Sequence, residues 1–225
     1  MVSRLTNGFQ LAADGIYRCC AFQEFLWQSH GFGTRAANPE ADVTLRQIHS
    51  DLVLNADGLT DRQCEGDALI TNKPHLSIGV RTADCVPILL LDSRQRAIAA
   101  VHAGWRGSAH AIVRATLRKM NADFGTEPAD IYAAIGPCIR ECCYEVGQEV
   151  AERFCVTFPE WTPHAGKRHV DLAEANRRQM LSAGVPVSSI FDIQTCTSCQ
   201  IESFYSFRRE PQNPGRLLSA ISRLA

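Results

Sequence analysis

The 225-residue chain reads as an α/β, or α+β layered, fold: a single compact domain with a mixed sheet and flanking helices. Three observations lead there. Apolar runs of strand length alternate with stretches whose apolar residues recur at helical spacing. No repeat, low-complexity tract or Gly/Ser linker divides the chain, and its length is within the range of one domain, so residues 1–225 read as one unit. Hydrophobic content of 45% with 21% charged residues is the balance of a packed globular chain rather than a disordered one.

The elements follow in order. Residues 76–92, LSIGVRTADCVPILLLD, form two apolar strand-like runs interrupted by Thr82, Ala83, Asp84 and Cys85, a polar break inside an otherwise buried segment. After a turn at Ser93, Arg94 and Gln95, AIAAVHAG is another buried strand that delivers His102 just before Gly104 and Gly107. Residues 107–121 place Ala109, Ile112, Val113, Thr116, Leu117 and Met120 on one helical face. A short strand over 130–135 ends at Gly136-Pro137, and an amphipathic helix is expected over 145–154. A further helix over 172–183 stops at Gly184 and Pro186, and the tail closes with strand-like SFYSFRR and RLLSAISRL.

Charge narrows the partner. Twenty-three Lys plus Arg against 24 Asp plus Glu leave a net charge of -1, which points away from nucleic acid and anionic membrane and toward a small molecule. The N-terminus lacks a signal-peptide core and no segment offers a membrane-spanning apolar run, so a cytoplasmic location is expected. The ten cysteines then read as reduced thiols or ligands rather than a disulfide framework.

His49 in LRQIHSDLV, Cys85 in TADCVP and His102 in AAVHAGWRG each stand at the end of, or in a break within, an apolar run, where α/β scaffolds expose functional side chains. Two imidazoles and one thiolate suit a single zinc ion, and three protein ligands leave a fourth position open, as in catalytic sites. The same donors also bind copper. Spacings of 36 and 17 residues form no local zinc signature, and a buried core role for each residue is the competing reading.

The blocks QIHSDLV, GDALIT, TADCVPILLLD, AAVHAGWRG, IGPCIRECCYEVG and FYSFRRE…GRLLSAI, in that order from about residue 43 to the C-terminus, resemble the laccase-domain family. That family is also known as multicopper polyphenol oxidoreductases, purine nucleoside phosphorylases or peptidoglycan editing factors. The resemblance implies an α/β fold in which His49, Cys85 and His102 hold one zinc. It also implies phosphorolysis of adenosine, inosine, guanosine and methylthioadenosine, with deamination of adenosine. Asp84 and Arg106 lie beside matching ligands, Arg35 in HGFGTR resembles a family arginine, and Arg216 follows Pro214-Gly215 where Thr-Gly is usual. GFGTRAANPEADVTLRQIH abbreviates the family's N-terminal pattern, which leaves substrate contacts from that portion open.

The chemistry assigns roles. Zinc's Lewis acidity suits hydrolytic attack at C6 of adenosine, with Asp84 as the candidate proton shuttle. Arg81, Arg106 or Arg35 suits bidentate phosphate binding, and Trp105 serves either as a packing anchor or as a wall that stacks a purine. The seven histidines contain no His-x-His pair, which argues against a four-copper oxidase. Three rivals remain: a Cys-His hydrolase or amidase using Cys85 with His49 or His102, a copper polyphenol oxidase, and a non-catalytic metal- or nucleotide-binding module. Oligomeric state, monomer or dimer, is open.

Outside this trio, Cys138, Cys142 and Cys143 read first as buried small thiols at a helix start. Cys196 and Cys199 form a C-x-x-C without a second such pair to complete a four-cysteine site. Gly136-Pro137 reads as a tight turn, and Arg208-Arg209 as a solvated edge-strand pair or an anion contact. His110 reads as a surface or packing histidine, and His30, His75, His164 and His169 as solvent-facing.

Overall fold

Alternation along the longest strands decides the architecture. In the computed structural model, which describes residues 4–159, 168–212 and 215–224, even and odd positions of one strand face different cores. Ile88 and Leu90 join one buried cluster while Leu89 and Leu91 join another. A strand apolar on both faces must be covered on both, so the molecule has three layers: sheet, sheet and helices.

The strands are β1 (Arg4–Thr6), β2 (Phe9–Leu11), β3 (Tyr17–Cys19), β4 (Gln28–Phe32), β5 (Val53–Asn55), β6 (Ala68–Thr71), β7 (Leu76–Thr82), β8 (Val86–Asp92), β9 (Ile98–Ala103), β10 (Ile131–Ile135), β11 (Glu145–Val146), β12 (Arg168–His169), β13 (Ile190–Asp192) and β14 (Leu217–Arg223). One sheet has the order β1-β2-β3-β4-β14-β7 and the other β13-β10-β8-β9-β6-β5, with β11 and β12 forming a separate ribbon. The first sheet is antiparallel throughout. The second is mixed, since β10 with β13 and β5 with β6 run parallel. Between the sheets lie Phe9, Phe32, Ile78, Val80, Leu89, Ile98 and Leu217. Pro87, which cannot donate to a ladder, sits near the start of β8.

The helices are α1 (Trp105–Ala109), α2 (Ile112–Phe124), α3 (Gln148–Ala151) and α4 (Leu172–Ser182). Ile112, Val113, Thr116, Leu117 and Met120 are the buried face of α2, packed over the outer face of the second sheet. α2 ends at Gly125, whose φ of 72° is the left-handed conformation of a helix C-cap. α4 starts at Asp171, whose side chain accepts the Glu174 N–H at 2.9 Å.

Three elements differ from the sequence expectation. The helix expected over 107–121 is split, because Ala111 takes φ 59° and turns the chain between α1 and α2. The helix expected over 145–154 opens as strand β11, paired to β12, and becomes helical only from Gln148. SFYSFRR is a run of turns rather than a strand. The Asp84 carboxylate accepts the Arg208 N–H, and the Arg209 guanidinium donates to the Phe204 carbonyl within the run and to those of Thr197 and Ser198 before it. Backbone groups held by side chains do not enter a ladder. His30 is also buried, not surface: it accepts the Cys19 N–H at Nε2 and burial lowers its pKa to about 3. His75, His110 and His169 are exposed, while His164 and Pro214 fall outside the described residues.

Candidate metal centre

Cys85 ends the link from β7 directly before β8, His102 lies near the end of β9, and His49 lies in the loop before β5. These three positions meet at one end of the stacked sheets, where their ligand atoms all lie within 4.8 Å of one another. His49 Nε2 is 3.9 Å from Cys85 Sγ, and the two imidazoles meet edge to face with centroids 4.9 Å apart. Gly104 keeps this approach open: a Cβ there would stand 2.8 Å from His49 Cδ2 and 3.2 Å from Cys85 Sγ.

The sequence reading missed the residue that organises the trio. Asp67, fully buried, accepts from His102 Nδ1 at 2.7 Å, from the backbone N–H groups of His49 at 3.0 Å and Ser50 at 2.6 Å, and from Ser50 Oγ at 2.6 Å. One carboxylate therefore orients one imidazole and holds the loop that carries the other. His49 sits at φ 61°, a left-handed conformation costing on the order of 1–3 kcal/mol for a non-glycine residue. Charge-assisted hydrogen bonds contribute about 1.5–3 kcal/mol each, enough to hold it. The available signal was GDALIT, an acidic residue directly before a buried strand.

The charges of the trio follow from this arrangement. Burial pushes the Cys85 thiol up, but the charge and hydrogen bonds of His102 and His49 prevail and bring it down to about 6. Burial disfavours the His102 cation, but Cys85 and Asp67 raise it to about 9. Asp67, despite its burial, is held near 2 by the donors it accepts. In metal-free protein, Cys85 and His102 form a thiolate–imidazolium pair. With Nδ1 committed to Asp67, His102 has Nε2 left for a ligand, and the carboxylate–histidine arrangement is the support that metal-bound imidazoles commonly have. Two imidazoles and a readily ionised thiol fit a zinc-like ion with an open position.

Around the trio opens a cleft of about 740 Å³. Of the residues singled out in the sequence, Arg81, Asp84, Trp105, Arg106 and Arg216 line it. Arg81 Nε is buried without a hydrogen-bond partner among the described residues, while its backbone is clamped by Gln47, which donates to the Arg81 carbonyl and accepts its N–H. Arg106 stacks on Trp105 at 4.3 Å. The lining also includes Gln47, Arg62, Tyr144, Phe207 and Arg208, which the sequence did not single out for this site because they come from separate loops. Arg208 is exposed but lies in a turn rather than on a strand; it stands over Tyr144 and donates to the Glu145 carbonyl.

Two expectations do not survive the geometry. Arg35 is absent from the cleft wall: its guanidinium donates to Glu210 and the Phe204 carbonyl and packs over Tyr205. Asp84, the expected proton shuttle, has both oxygens occupied, accepting from Thr197 Oγ1 at 2.6 Å, Ser206 Oγ at 3.0 Å and the Arg208 N–H at 2.6 Å. Its φ of 89° makes it the second strained residue held by a carboxylate network, and it fixes the link that places Cys85. Gly136 is a packing glycine, since a Cβ there would meet the Phe32 ring at 2.2 Å.

Residues 31–224 match the family described as multi-copper polyphenol oxidoreductase laccase. The chain belongs to this family. It is 45% identical over 161 residues to a purine nucleoside phosphorylase of Bacteroides thetaiotaomicron, covering 69% of this chain and 60% of that one. It is 42% identical over 163 residues to adenosine deaminase RL5 from an unknown prokaryotic organism, covering 70% and 62%. The chain thus spans about three-fifths of the length of these relatives. Among solved structures, YlmD from Geobacillus stearothermophilus superposes with a TM-score of 0.85 at 29% identity, over 97% of this chain and 100% of that one. Among the described residues, no helix is long and apolar enough to cross a membrane.

Proposed function

We propose that this chain is a metal-dependent enzyme acting on purine nucleosides, by phosphorolysis of adenosine, inosine, guanosine and methylthioadenosine and by deamination of adenosine. The observation that carries the reading is the convergence of His49, Cys85 and His102, anchored by Asp67, at a cleft lined, among the described residues, by five arginines. The names of the relatives, a purine nucleoside phosphorylase and an adenosine deaminase, support the substrate class.

His49 Nε2, Cys85 Sγ and His102 Nε2 would hold the ion, with zinc favoured by the donor set and copper the rival. When bound, the ion supplies Lewis acidity beside the substrate. Arg81 and Arg106, both on the cleft wall, hold phosphate, and the Nε of Arg81 has no partner among the described residues. In phosphorolysis a phosphate oxygen bonds to C1′ as the bond from C1′ to the purine nitrogen breaks, and the electron pair leaves with the purine, which takes up a proton. Trp105, Tyr144 and Phe207 offer faces for the base. Asp84 acts as a positioning residue for Cys85. Ten free thiols suit a reducing compartment such as the cytoplasm.

The test is chromatography of adenosine incubated with purified protein, with and without phosphate. Adenine formed only with phosphate, or inosine formed without it, is expected, with both lost in Cys85→Ala. A second reading is favoured by the contact of Cys85 with His49 and the Asp67–His102 pair: a cysteine hydrolase with Cys85 as nucleophile. Metal-free protein, inert toward nucleosides, whose Cys85 forms a covalent adduct with amide-like electrophiles would replace the first reading with the second.

A further inference from the structure

A second group of ligand atoms stands apart from the first. Cys196 and Cys199 supply one half, and the other half comes from Cys142 and Cys143, neighbours in sequence more than fifty residues earlier. The four sulfurs all lie within 4.8 Å of one another. The separations are 3.8 Å for Cys142 to Cys143, 3.7 Å for Cys142 to Cys199 and 3.4 Å for Cys143 to Cys199.

These distances discriminate between chemistries. Four sulfurs at about 2.3 Å from a zinc ion, placed tetrahedrally, stand about 3.8 Å from one another. A disulfide brings its two sulfurs to about 2.05 Å and leaves the other two thiols unengaged. Here Cys142, Cys143 and Cys199 stand at the separations of a tetrahedron's edges, and Cys196 Sγ lies within 4.8 Å of each of them. Cys142 and Cys143 are exposed and half-buried, so packing of small buried thiols does not explain them. Backbone N–H groups of Arg140 and Cys199 are directed at Cys196, the buried member.

We propose that Cys142, Cys143, Cys196 and Cys199 bind a structural zinc ion that staples the segment over 138–146 to the segment over 194–209. All four positions are filled by thiolates, so no site is left open for substrate, which separates this ion in role from the one beside Cys85. The two segments meet through little regular structure: an isolated bridge of Cys138 with Cys196, the backbone hydrogen bonds from Thr197 N to the Cys138 carbonyl at 2.9 Å and from Cys138 N to the Thr195 carbonyl at 3.3 Å, and the Arg208 side chain on the Glu145 carbonyl. Yet they carry much of one cleft wall. Tyr144 comes from the first and Arg208 from the second, and Thr197, Ser206 and Arg208 hold Asp84 beside Cys85. A metal clip there fixes the wall where the two segments share no continuous ladder.

The test uses full-length protein carrying Cys85→Ala, which removes a ligand of the first centre and leaves this cluster whole. Elemental analysis should still find about one zinc per chain, and exchange into cobalt should give the strong charge-transfer and visible absorption of a four-thiolate tetrahedral site. Adding Cys142→Ser should lower retained zinc at least tenfold in the presence of a competing chelator, and the cobalt spectrum of the unaltered cluster carries the test if that variant does not fold. Cys85→Ala protein that holds no metal and shows no such spectrum would overturn the proposal. So would an intact mass two hydrogens short, with a disulfide mapped among these four cysteines.

Discussion

Asp67 Oδ1 stands 2.7 Å from His102 Nδ1, and the same carboxylate holds the backbone that presents His49. Asp67→Asn keeps the shape but removes the charge and cannot accept from every donor now turned toward it. Metal affinity at the Cys85 centre is expected to fall about 10- to 100-fold, the usual loss when the partner of a ligating histidine is removed. Stability is expected to drop by about 1–3 kcal/mol from donors left unpaired. Chelator competition and denaturant unfolding measure the two; unchanged metal affinity would show that Asp67 supports the loop alone.

Gly104→Ala separates the centre from the fold. Gly104 has an ordinary φ of −71°, so an added methyl group meets no backbone strain and only the crowding against His49 and Cys85. Metal binding is expected to weaken at least about 10-fold while unfolding changes by less than about 1 kcal/mol. An equal fall in both would mean that the glycine serves packing rather than the site.

Arg81→Met keeps the aliphatic stem and removes the guanidinium, whose Nε has no partner among the described residues. A charge-assisted hydrogen bond to phosphate contributes about 1.5–3 kcal/mol, so KM for phosphate is expected to rise about 10- to 100-fold, with metal content unchanged. Steady-state kinetics against phosphate concentration checks this, and an unaltered KM would move the phosphate to Arg106 or another cleft arginine.

The thiolate–imidazolium pair has a definite pH window in metal-free protein. Cys85 is lowered from 9.0 to about 6, so the stability it contributes is complete above 9.0 and is lost as pH falls through about 6. His102 is raised from 6.5 to about 9, so its contribution is complete below 6.5 and is lost as pH rises through about 9. Alkylation of Cys85 by iodoacetamide, followed on its own peptide by mass spectrometry, should titrate near pH 6 rather than near 9. His102→Ala should move the midpoint upward. A wild-type midpoint near 9 would remove the pair.

Much of the scaffold was legible in the sequence because it is written in local periodicity. β7, β8, β9, α4 and β14 fall where apolar runs, glycines and turn residues place them, and the polar break at residues 82–85 marked the Cys85 link. The short strands of the N-terminal part, three to five residues each, carry too little pattern to read alone. The SFYSFRR run failed for a different reason: its alternation is that of a strand, yet side chains distant in sequence claim its backbone groups.

The sequence by itself determined the layered α/β class and the identity of His49, Cys85 and His102 as ligand candidates, because strand ends and donor chemistry are local properties. Only the tertiary structure decided what surrounds them. Asp67 is the support of His102, Asp84 is tied to Thr197, Ser206 and Arg208, and Arg35 is turned away to Glu210. It also joined Cys142 and Cys143 to the C-x-x-C that had no partner in sequence. Each of these depends on which loops the two stacked sheets bring to one end, and contacts between residues dozens of positions apart leave no periodic trace in the chain.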